Sequence, residues 1–249
     1  MPGAVIVTGI AHGIGRATAL SLARSGVAVV GIDLDVDALS SVLEVASLEG
    51  IAVEAILGDI TDQSIVEKLV ALAIDNHGSV AALANVAGIM DSFLPAHEVD
   101  DATWSRVMAV NAEAPMRLSR AVLPSMMEAG RGVIVNVASE AGLRGAAGGF
   151  AYTAAKHAVI GQTRSIAWTY RESGIRCNAV CPGAVDTNLG TSATPKSQWA
   201  VDQLRPILRT RGASVEPDRI ADVIGWLISE QSANVNGAVI TADGGWFAG

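Results

Sequence analysis

The sequence predicts a doubly wound α/β domain, and three observations support this prediction. Short apolar runs rich in Val, Ile and Ala alternate with helical patterns almost from end to end. These runs are apolar at successive positions rather than at every second position, which is typical of parallel strands buried on both faces. No linker, repeat or low-complexity segment interrupts the series. We therefore expect one domain over residues 1–249, built from right-handed βα units.

Seven strands and six helices follow from this alternation. The strands are predicted at 4–8, 27–32, 52–56, 81–84, 132–137, 175–180 and 238–241. The helices are predicted near 13–25, 35–49, 62–76, 101–129, 151–173 and 216–229. Residues 186–212 follow the sixth strand without a strand pattern, where ligands bind such sheets, so we interpret them as a substrate lid. A passive surface insertion is the alternative interpretation.

Composition and charge narrow the class of protein. Half of the 249 residues are hydrophobic and 17% are charged, so a large core is expected. The net charge of −8 and the lack of a basic run argue against nucleic acid and anionic membranes as partners. No apolar run approaches the ~18 residues of a membrane span, and no signal-peptide pattern is present. Cytoplasmic location is the expectation.

Cysteine and histidine do not indicate a metal site. Cys177 and Cys181 lie in a strand-like stretch, and we interpret them as reduced core thiols rather than a redox pair. The four histidines are scattered without ligand spacing.

A glycine cluster separates the first predicted strand from the first predicted helix. Glycines in such a turn let backbone amides approach a pyrophosphate, which then meets the positive end of the helix dipole. The spacing G-x-x-x-G-x-G differs from the more usual G-x-G-x-x-G. We predict that a dinucleotide contacts Gly9, His12, Gly13, Ile14 and Gly15.

An acidic residue follows the second predicted strand. Asp33 lies 18 residues after Gly15, where a carboxylate can accept hydrogen bonds from the adenosine ribose and repel a 2′-phosphate. This favours NAD over NADP, with Leu34 beside it in the cofactor site. Two observations keep the alternative open: Asp33 could merely cap the helix that starts near Asp35, and a cationic His12 would assist a 2′-phosphate.

Two further strand ends carry candidate cofactor residues. Asp59 and Ile60 follow the third strand, where a carboxylate can accept from an adenine amino group. Asn85, Ala87 and Gly88 follow the fourth, where small residues let a flat ring lie on the backbone. Taken alone, both motifs are ordinary turns.

Together these residues resemble the single-domain branch of the short-chain dehydrogenase/reductase family over essentially the whole chain. The matching features are T-G-x-x-x-G-I-G at 8–15, Asp33, Asp59, N-V-A-G at 85–88 (more often N-N-A-G in the family), Asn111, Ser139, Tyr152 with Lys156, Pro182-Gly183, Thr187 and D-G-G at 243–245. The resemblance implies a Rossmann-like fold with seven strands, a tetramer, and catalysis by Asn111, Ser139, Tyr152 and Lys156.

The chemistry of these groups fits hydride transfer. Tyr152 and Lys156 lie four residues apart, hence on one face of a helix. A free phenol has a pKa of ~10, and we expect the nearby ammonium and a nicotinamide cation to favour phenolate. Tyr152 would then exchange a proton with the substrate, and Ser139, at the end of the fifth strand, would orient the substrate oxygen. A helix-face tyrosine beside a solvated lysine is the alternative.

Asn111 and the start of the lid complete the predicted site. Asn is unfavourable within a helix unless its side chain has a specific partner. The resemblance implies that Asn111 holds a water that links Lys156 to solvent; helix distortion without catalysis is the alternative. Residues at the start of the lid are predicted to cover the nicotinamide: Pro182, Gly183, Val185 and Thr187.

The predicted function is an NAD-dependent oxidoreductase that acts on a secondary alcohol or ketone. An NADP-dependent 3-ketoacyl-carrier-protein reductase shares nearly every motif and is the first alternative. A catalytically silent nucleotide sensor is the second, although such a protein would have little need for Ser139, Tyr152 and Lys156 together. The identity of the substrate does not follow from the sequence.

Overall fold

A computed structural model describes residues 2–189 and 194–249 and contains a seven-stranded parallel sheet. The strands are β1 (Ala4–Thr8), β2 (Val29–Asp33), β3 (Val53–Leu57), β4 (Val80–Asn85), β5 (Gly132–Val137), β6 (Ile175–Pro182) and β7 (Val239–Ala242). Their order is β3-β2-β1-β4-β5-β6-β7. The order reverses between β1 and β4, which creates a crevice at their carboxyl ends. The predicted Rossmann-like fold is confirmed.

Helices cover both faces of the sheet. They are α1 (Gly13–Arg24), α2 (Val36–Glu49), α3 (Gln63–His77), α4 (Asp101–Met108), α5 (Ala114–Glu128), α6 (Phe150–Thr169), α7 (Gln198–Leu208) and α8 (Pro217–Ile228). One core cluster contains α1, α2 and α8, and the opposite cluster contains α3, α5 and the end of α6. Within β1, Val5 and Val7 face the first cluster while Ala4 and Ile6 face the second. Burial on both faces explains why the strands are continuously apolar.

All seven predicted strands are present, but the segment predicted as a lid does not lack regular structure. Residues 186–212 contain helix α7 rather than loop alone. Ser197 caps this helix by accepting a hydrogen bond from the Ala200 N–H at 3.3 Å. Pro206 lies inside it, and a proline in a helical pattern normally argues for a break, so the helix was missed. Residues 190–193 of the proposed lid lie outside the described part of the chain.

Two predicted helices differ from the prediction in a way that affects the site. The helix predicted over 101–129 consists of α4, a π-helical turn at Ala109–Glu113, and α5. The helix predicted over 151–173 ends at Thr169 and is followed by a 3₁₀ turn at Arg171–Ser173. Among the described residues, no helix combines the length and apolar character needed to span a bilayer.

Candidate functional site

A cleft of about 540 Å³ runs along the carboxyl ends of the strands. Its volume is typical of small-molecule sites, and it lies at the reversal point between β1 and β4. Many of the predicted cofactor residues line it: Gly9, His12, Gly13, Ile14, Gly15, Asp33, Leu34, Asp59, Ile60, Ala87, Gly88 and Thr187. Residues that the sequence predicts to bind a dinucleotide therefore come together in one cleft.

The glycine turn brings the amino end of α1 to the cleft. Gly9 and Gly13 have φ values of +71° and +47°, which favour glycine. A Cβ on Gly15 would lie 2.0 Å from the Gly9 carbonyl oxygen, so only glycine lets the helix pack this close to the strand. The free N–H groups of the first helical turn thus face the cleft, as an anion-binding site requires.

The end of β2 presents a fixed carboxylate. Asp33 accepts hydrogen bonds from the N–H groups of Ala11 at 2.9 Å, Leu34 at 2.8 Å and Asp35 at 3.1 Å. The helix cap that follows is Asp35, whose side chain accepts from the Ala38 N–H. Asp33 is therefore not the cap, and the alternative in which it serves only that purpose is wrong.

His12 lines the cleft and contacts both Asp35, after β2, and Asn188, after β6. Its Nε2 is 2.8 Å from Asp35 Oδ2, and its Nδ1 is 3.1 Å from Asn188 Nδ2. A neutral imidazole protonated on Nε2 satisfies both contacts, because it donates to Asp35 and accepts from the Asn188 amide. The imidazole is therefore engaged by Asp35 rather than directed at a 2′-phosphate.

The loop after β4 is held by hydrogen bonds from two directions. Thr8 Oγ1 accepts from the N–H groups of Val86 at 2.9 Å and Ala87 at 3.0 Å. Asn85 does not line the cleft: it is 4% exposed and donates to Asn136 Oδ1 at 2.8 Å within the sheet. Gly88 has no room for a side chain, since a Cβ would lie 2.8 Å from the Asn111 amide oxygen.

Asn111 has the specific partners that its place in a helix requires. It lies in the π-helical turn, where its Nδ2 donates to the carbonyls of Ile89 at 2.9 Å and Val107 at 3.1 Å. Its Oδ1 accepts from the Ile89 N–H at 3.0 Å. Single π-helical turns are frequent at functional sites because they redirect one side chain. Here the turn fastens the loop after β4 to the helix.

Three of the predicted catalytic residues meet below the cleft. Tyr152 and Lys156 lie on one face of α6, with Lys156 Nζ 5.5 Å from the centre of the phenol ring. Lys156 Nζ donates to the Val137 carbonyl at the end of β5 at 2.9 Å. Ser139, two residues beyond that strand, lies close enough to the Tyr152 phenol to lower its pKa. Both Tyr152 and Lys156 are nearly buried, at 5% and 3% exposure, so they lie behind the cleft wall.

Burial is the main influence on the pKa values of Tyr152 and Lys156. It raises the pKa of Tyr152 to about 12, with the charges of Asp91 and Cys181 adding to the effect and the Ser139 hydrogen bond opposing it. Burial also lowers the pKa of Lys156 to about 8. The sequence-based expectation that the ammonium would favour phenolate is therefore reversed, because loss of solvation outweighs the attraction.

Of the four cofactor residues predicted at the end of β6 and after it, one lines the cleft and three do not. Thr187 lines the cleft, and its Cγ2 would lie 2.8 Å from a Cβ on Gly13. Pro182 ends β6, Gly183 packs against Asp243, and Val185 pairs with Val215 in an isolated bridge. These three do not line the cleft but fix the strand from which the lid starts.

A buried ionic group lies directly beside Ser139. Glu140 is 1% exposed, and its Oε2 accepts from Arg144 at 2.8 Å. Burial raises the pKa of Glu140 to about 7, assisted by a hydrogen bond and charge from Asp243 and opposed by Arg144. Arg144 also donates to the Trp246 carbonyl at 3.1 Å and lies 4.6 Å from the centre of the Trp246 ring. The carboxyl-terminal residues are thus tied to the segment that carries Ser139.

Sequence reasoning missed part of the cleft wall. Arg106 and Val110 line the cleft together with Ile89 and Ser92. Arg106 and Val110 are four residues apart, so helical spacing was a usable signal once either was placed in the wall. No comparable signal marks Ser92.

Comparisons with known proteins agree with this geometry. A family model described as short chain dehydrogenase matches residues 3–198. The chain is 39% identical over 251 residues to the short-chain dehydrogenase/reductase cdmF of Talaromyces verruculosus, covering 97% of this chain and 96% of that protein. It is 36% identical over 244 residues to 3beta-hydroxysteroid dehydrogenase 2 of Eggerthella lenta (strain ATCC 25559), covering 98% and 94%.

A solved structure extends the likeness to three dimensions. A variant of actinorhodin polyketide ketoreductase, solved with NADPH, superposes with a TM-score of 0.88 at 29% identity. The superposition covers 98% of this chain and 97% of that one.

Proposed function

Because the chain belongs to the short-chain dehydrogenase/reductase family and is therefore an oxidoreductase of that family, we propose that it transfers hydride between NAD(H) and a secondary alcohol or ketone. The observation that carries the proposal is the meeting of Ser139, Tyr152 and Lys156 directly behind a cleft whose wall suits a dinucleotide. When bound, the nicotinamide supplies the hydride acceptor or donor.

The pyrophosphate, the ribose and the adenine of NAD would each meet a suitable part of the cleft. The glycine turn and the N–H groups of α1 would hold the pyrophosphate, and Asp33 would accept from the ribose hydroxyls. Asp59 and Ile60 would flank the adenine. The preference for NAD rests on Asp33, which would repel a 2′-phosphate, and on the contact between His12 and Asp35, which occupies the nearby imidazole.

The proposed proton chemistry centres on Tyr152. In the reductive direction its neutral phenol donates a proton to the carbonyl oxygen, and in the oxidative direction the phenolate accepts the alcohol proton. Ser139 orients the same oxygen through its hydroxyl. Lys156 would hold the nicotinamide ribose, while Asn111 keeps the loop after β4 against its helix. The water relay through Asn111 remains part of the proposal.

The substrate would enter beside the lid. A second cavity of about 320 Å³ lies between the loop after β4, the start of α6 and α7, and is lined largely by apolar groups including Phe93, Trp199 and Leu204. We propose that residues 186–212 act as the lid of the single domain formed by residues 1–249.

Oligomeric state and location complete the proposal. Trp168 is 71% exposed on α6 and Met127 is 49% exposed on α5, and such apolar groups would suit the subunit contacts of a homotetramer. The two cysteines are buried and unpaired, as is usual in the reducing cytoplasm.

An NADP-dependent ketoreductase is the second candidate. It is favoured by the likeness to a polyketide ketoreductase solved with NADPH. Asp33 argues against it, because its carboxylate accepts from three backbone N–H groups, and these carry no net positive charge to offset its repulsion of a 2′-phosphate.

The deciding experiment is a titration of NAD⁺ and NADP⁺, each alone, by calorimetry, followed by a panel of secondary alcohols and ketones read by nicotinamide absorbance. Tighter binding of NAD⁺ with turnover supports the proposal. Preference for NADP⁺ would contradict the argument from Asp33. Tight binding without turnover, with Tyr152→Phe indistinguishable from the wild type, would instead favour a nucleotide sensor.

A further inference from the structure

Asp91 is a buried carboxylate that the proposed chemistry has not used. It follows β4 by six positions and is 1% exposed. Its Oδ2 accepts from the backbone N–H of Tyr152 at 2.9 Å, and its Oδ1 accepts from the Phe93 N–H at 3.2 Å. One side chain therefore joins the loop after β4 to the helix that carries Tyr152.

This contact replaces the ordinary cap of α6. The residue at the N-cap position is Gly149, which has no side chain that could accept from the first turn. A Cβ on Gly149 would lie 2.2 Å from Asp91 Oδ1, so the glycine is what allows the carboxylate to reach the helix. The Phe150 N–H is satisfied from the same loop, by the Leu94 carbonyl at 2.9 Å. Two of the free N–H groups of α6 are thus bound by residues more than fifty positions earlier.

The loop adopts an unusual backbone to make these contacts. Ser92 and Phe93 have φ values of +56° and +57°, in the left-handed region that bulky residues rarely adopt. Such conformations persist where the surrounding structure holds them. The contacts that hold this turn include the hydrogen bond from the Phe93 N–H to Asp91, the one from the Phe150 N–H to the Leu94 carbonyl, and the one from the Lys196 N–H to the Ser92 carbonyl at 3.1 Å.

The carboxylate is also a charge next to the phenol. Polar and titratable groups approach Tyr152 from four sides: Lys156 on its own helix, Ser139 after β5, Cys181 on β6, and Asp91 after β4. Of these, the negative charge of Asp91 adds to burial in opposing phenolate. A negative charge at the amino end of a helix is itself favourable, because the free N–H groups there carry partial positive charge.

We propose that Asp91 is a positioning residue for the Tyr152–Lys156 pair: its carboxylate fixes the start of α6 and places an acidic group beside the pair. This inference rests on the proposed function, since it assigns Tyr152 the proton transfer. Asp91 would thereby link the loop after β4 to the pH at which the reaction proceeds.

The test compares Asp91→Asn with Asp91→Ala. Asparagine retains one oxygen that can accept from the Tyr152 N–H but removes the charge, whereas alanine removes both. In alcohol oxidation we expect the limb on which kcat rises with pH, which reports ionisation of Tyr152, to move to lower pH by about half a unit in Asp91→Asn, because one of several opposing charges is gone. We expect Asp91→Ala to lower kcat at every pH while leaving the calorimetric Kd for NAD⁺ nearly unchanged. Asp75→Asn, which alters an exposed carboxylate on α3, is the matched control and should leave the profile unchanged.

A profile of Asp91→Asn that coincides with that of the wild type would overturn the charge role. Equal losses of kcat and of NAD⁺ affinity in Asp91→Ala would overturn the positioning role. If Asp91→Ala does not fold, Asp91→Asn alone decides the inference.

A readout without turnover separates this inference from the proposed function. The chain has two tyrosines, so a Tyr170→Phe background leaves Tyr152 as the only source of tyrosinate absorbance. Across the alkaline range in which circular dichroism reports a folded protein, Asp91→Asn in this background should show more tyrosinate than its parent. If the whole panel fails to turn over but this difference is found, the proposed reaction is wrong and the role of Asp91 stands. If the absorbances are equal, the charge role is refuted whatever the enzyme does.

Discussion

Replacing Glu140 by glutamine should change how the stability of the protein depends on pH. Burial raises the pKa of Glu140 from its ordinary value of 4.5 to about 7, so the folded state binds this proton more tightly than the unfolded state. A group with a raised folded pKa contributes stability that is complete below the unfolded pKa and is lost as the pH rises through the folded pKa. The wild type should therefore lose stability between about pH 4.5 and about pH 7 on account of this residue.

The magnitude follows from the shift. A difference of about 2.5 units at 1.36 kcal/mol per unit corresponds to about 3 kcal/mol of unfolding free energy, which we treat as an upper limit. Glu140→Gln removes the titration but keeps the size of the side chain. The free energy of unfolding of the variant minus that of the wild type should thus increase by up to about 3 kcal/mol from about pH 5 to about pH 8. The contact with Arg144 is already included in this value, because it lowers the pKa of Glu140 against the effect of burial.

Urea unfolding followed by circular dichroism at a series of pH values measures the difference directly. Glu128→Gln, on an exposed part of α5, is the matched control and should leave the pH dependence as in the wild type. If the curves for the wild type and Glu140→Gln stay parallel across this range, Glu140 does not bind its proton more tightly in the folded state, and the reasoning from burial is refuted.

Three other predictions concern the cleft. Tyr152→Phe should lower kcat by about 10²–10⁴-fold with the NAD⁺ affinity unchanged, because only the proton donor is lost; undiminished steady-state turnover would contradict the role of the phenol. Gly15→Ala should abolish nucleotide binding in calorimetry, since its Cβ meets backbone at 2.0 Å, whereas Gly161→Ala, with open space around it, should bind normally; equal affinities would refute the steric argument. Asp33→Asn should raise the kcat/KM ratio of NADP⁺ to NAD⁺ by about tenfold, from the charge removed beside the 2′-phosphate; an unchanged ratio would show that Asp33 does not set the preference.

The fold was accessible from the sequence because its determinants are local. Burial of β1 on both faces leaves Val5 and Ile6 equally apolar, and this pattern is readable without knowing which helix covers which face. The spacing of Tyr152 and Lys156 is equally local, since four residues make one helical turn. Helix α7 was not accessible, because Pro206 argues for a break wherever the tertiary structure does not override it.

The features that the sequence did not reveal arise from contacts between residues far apart in the chain. Asp91 and Tyr152 are 61 positions apart, and no periodicity connects a loop carboxylate with a helix start. The direction of the Tyr152 pKa shift was also inaccessible, because it depends on how completely the folded chain excludes water from the phenol. Many residues of the cleft could be named in advance, but the balance of the charges around Tyr152 could not.

The π-helical turn at Ala109–Glu113 has a consequence for insertions and deletions. A π-helical turn contains one residue more than an α-helical turn would need, and each residue of an α-helix turns the chain by about 100°. Deleting one residue between 109 and 113 would let α4 and α5 merge into one regular helix without disturbing the faces on either side. The helix would survive, but the Asn111 side chain would no longer point to Ile89. The number of residues between 109 and 113 is therefore constrained by the Asn111 contacts beside the cleft, although a helix with one residue fewer would still form.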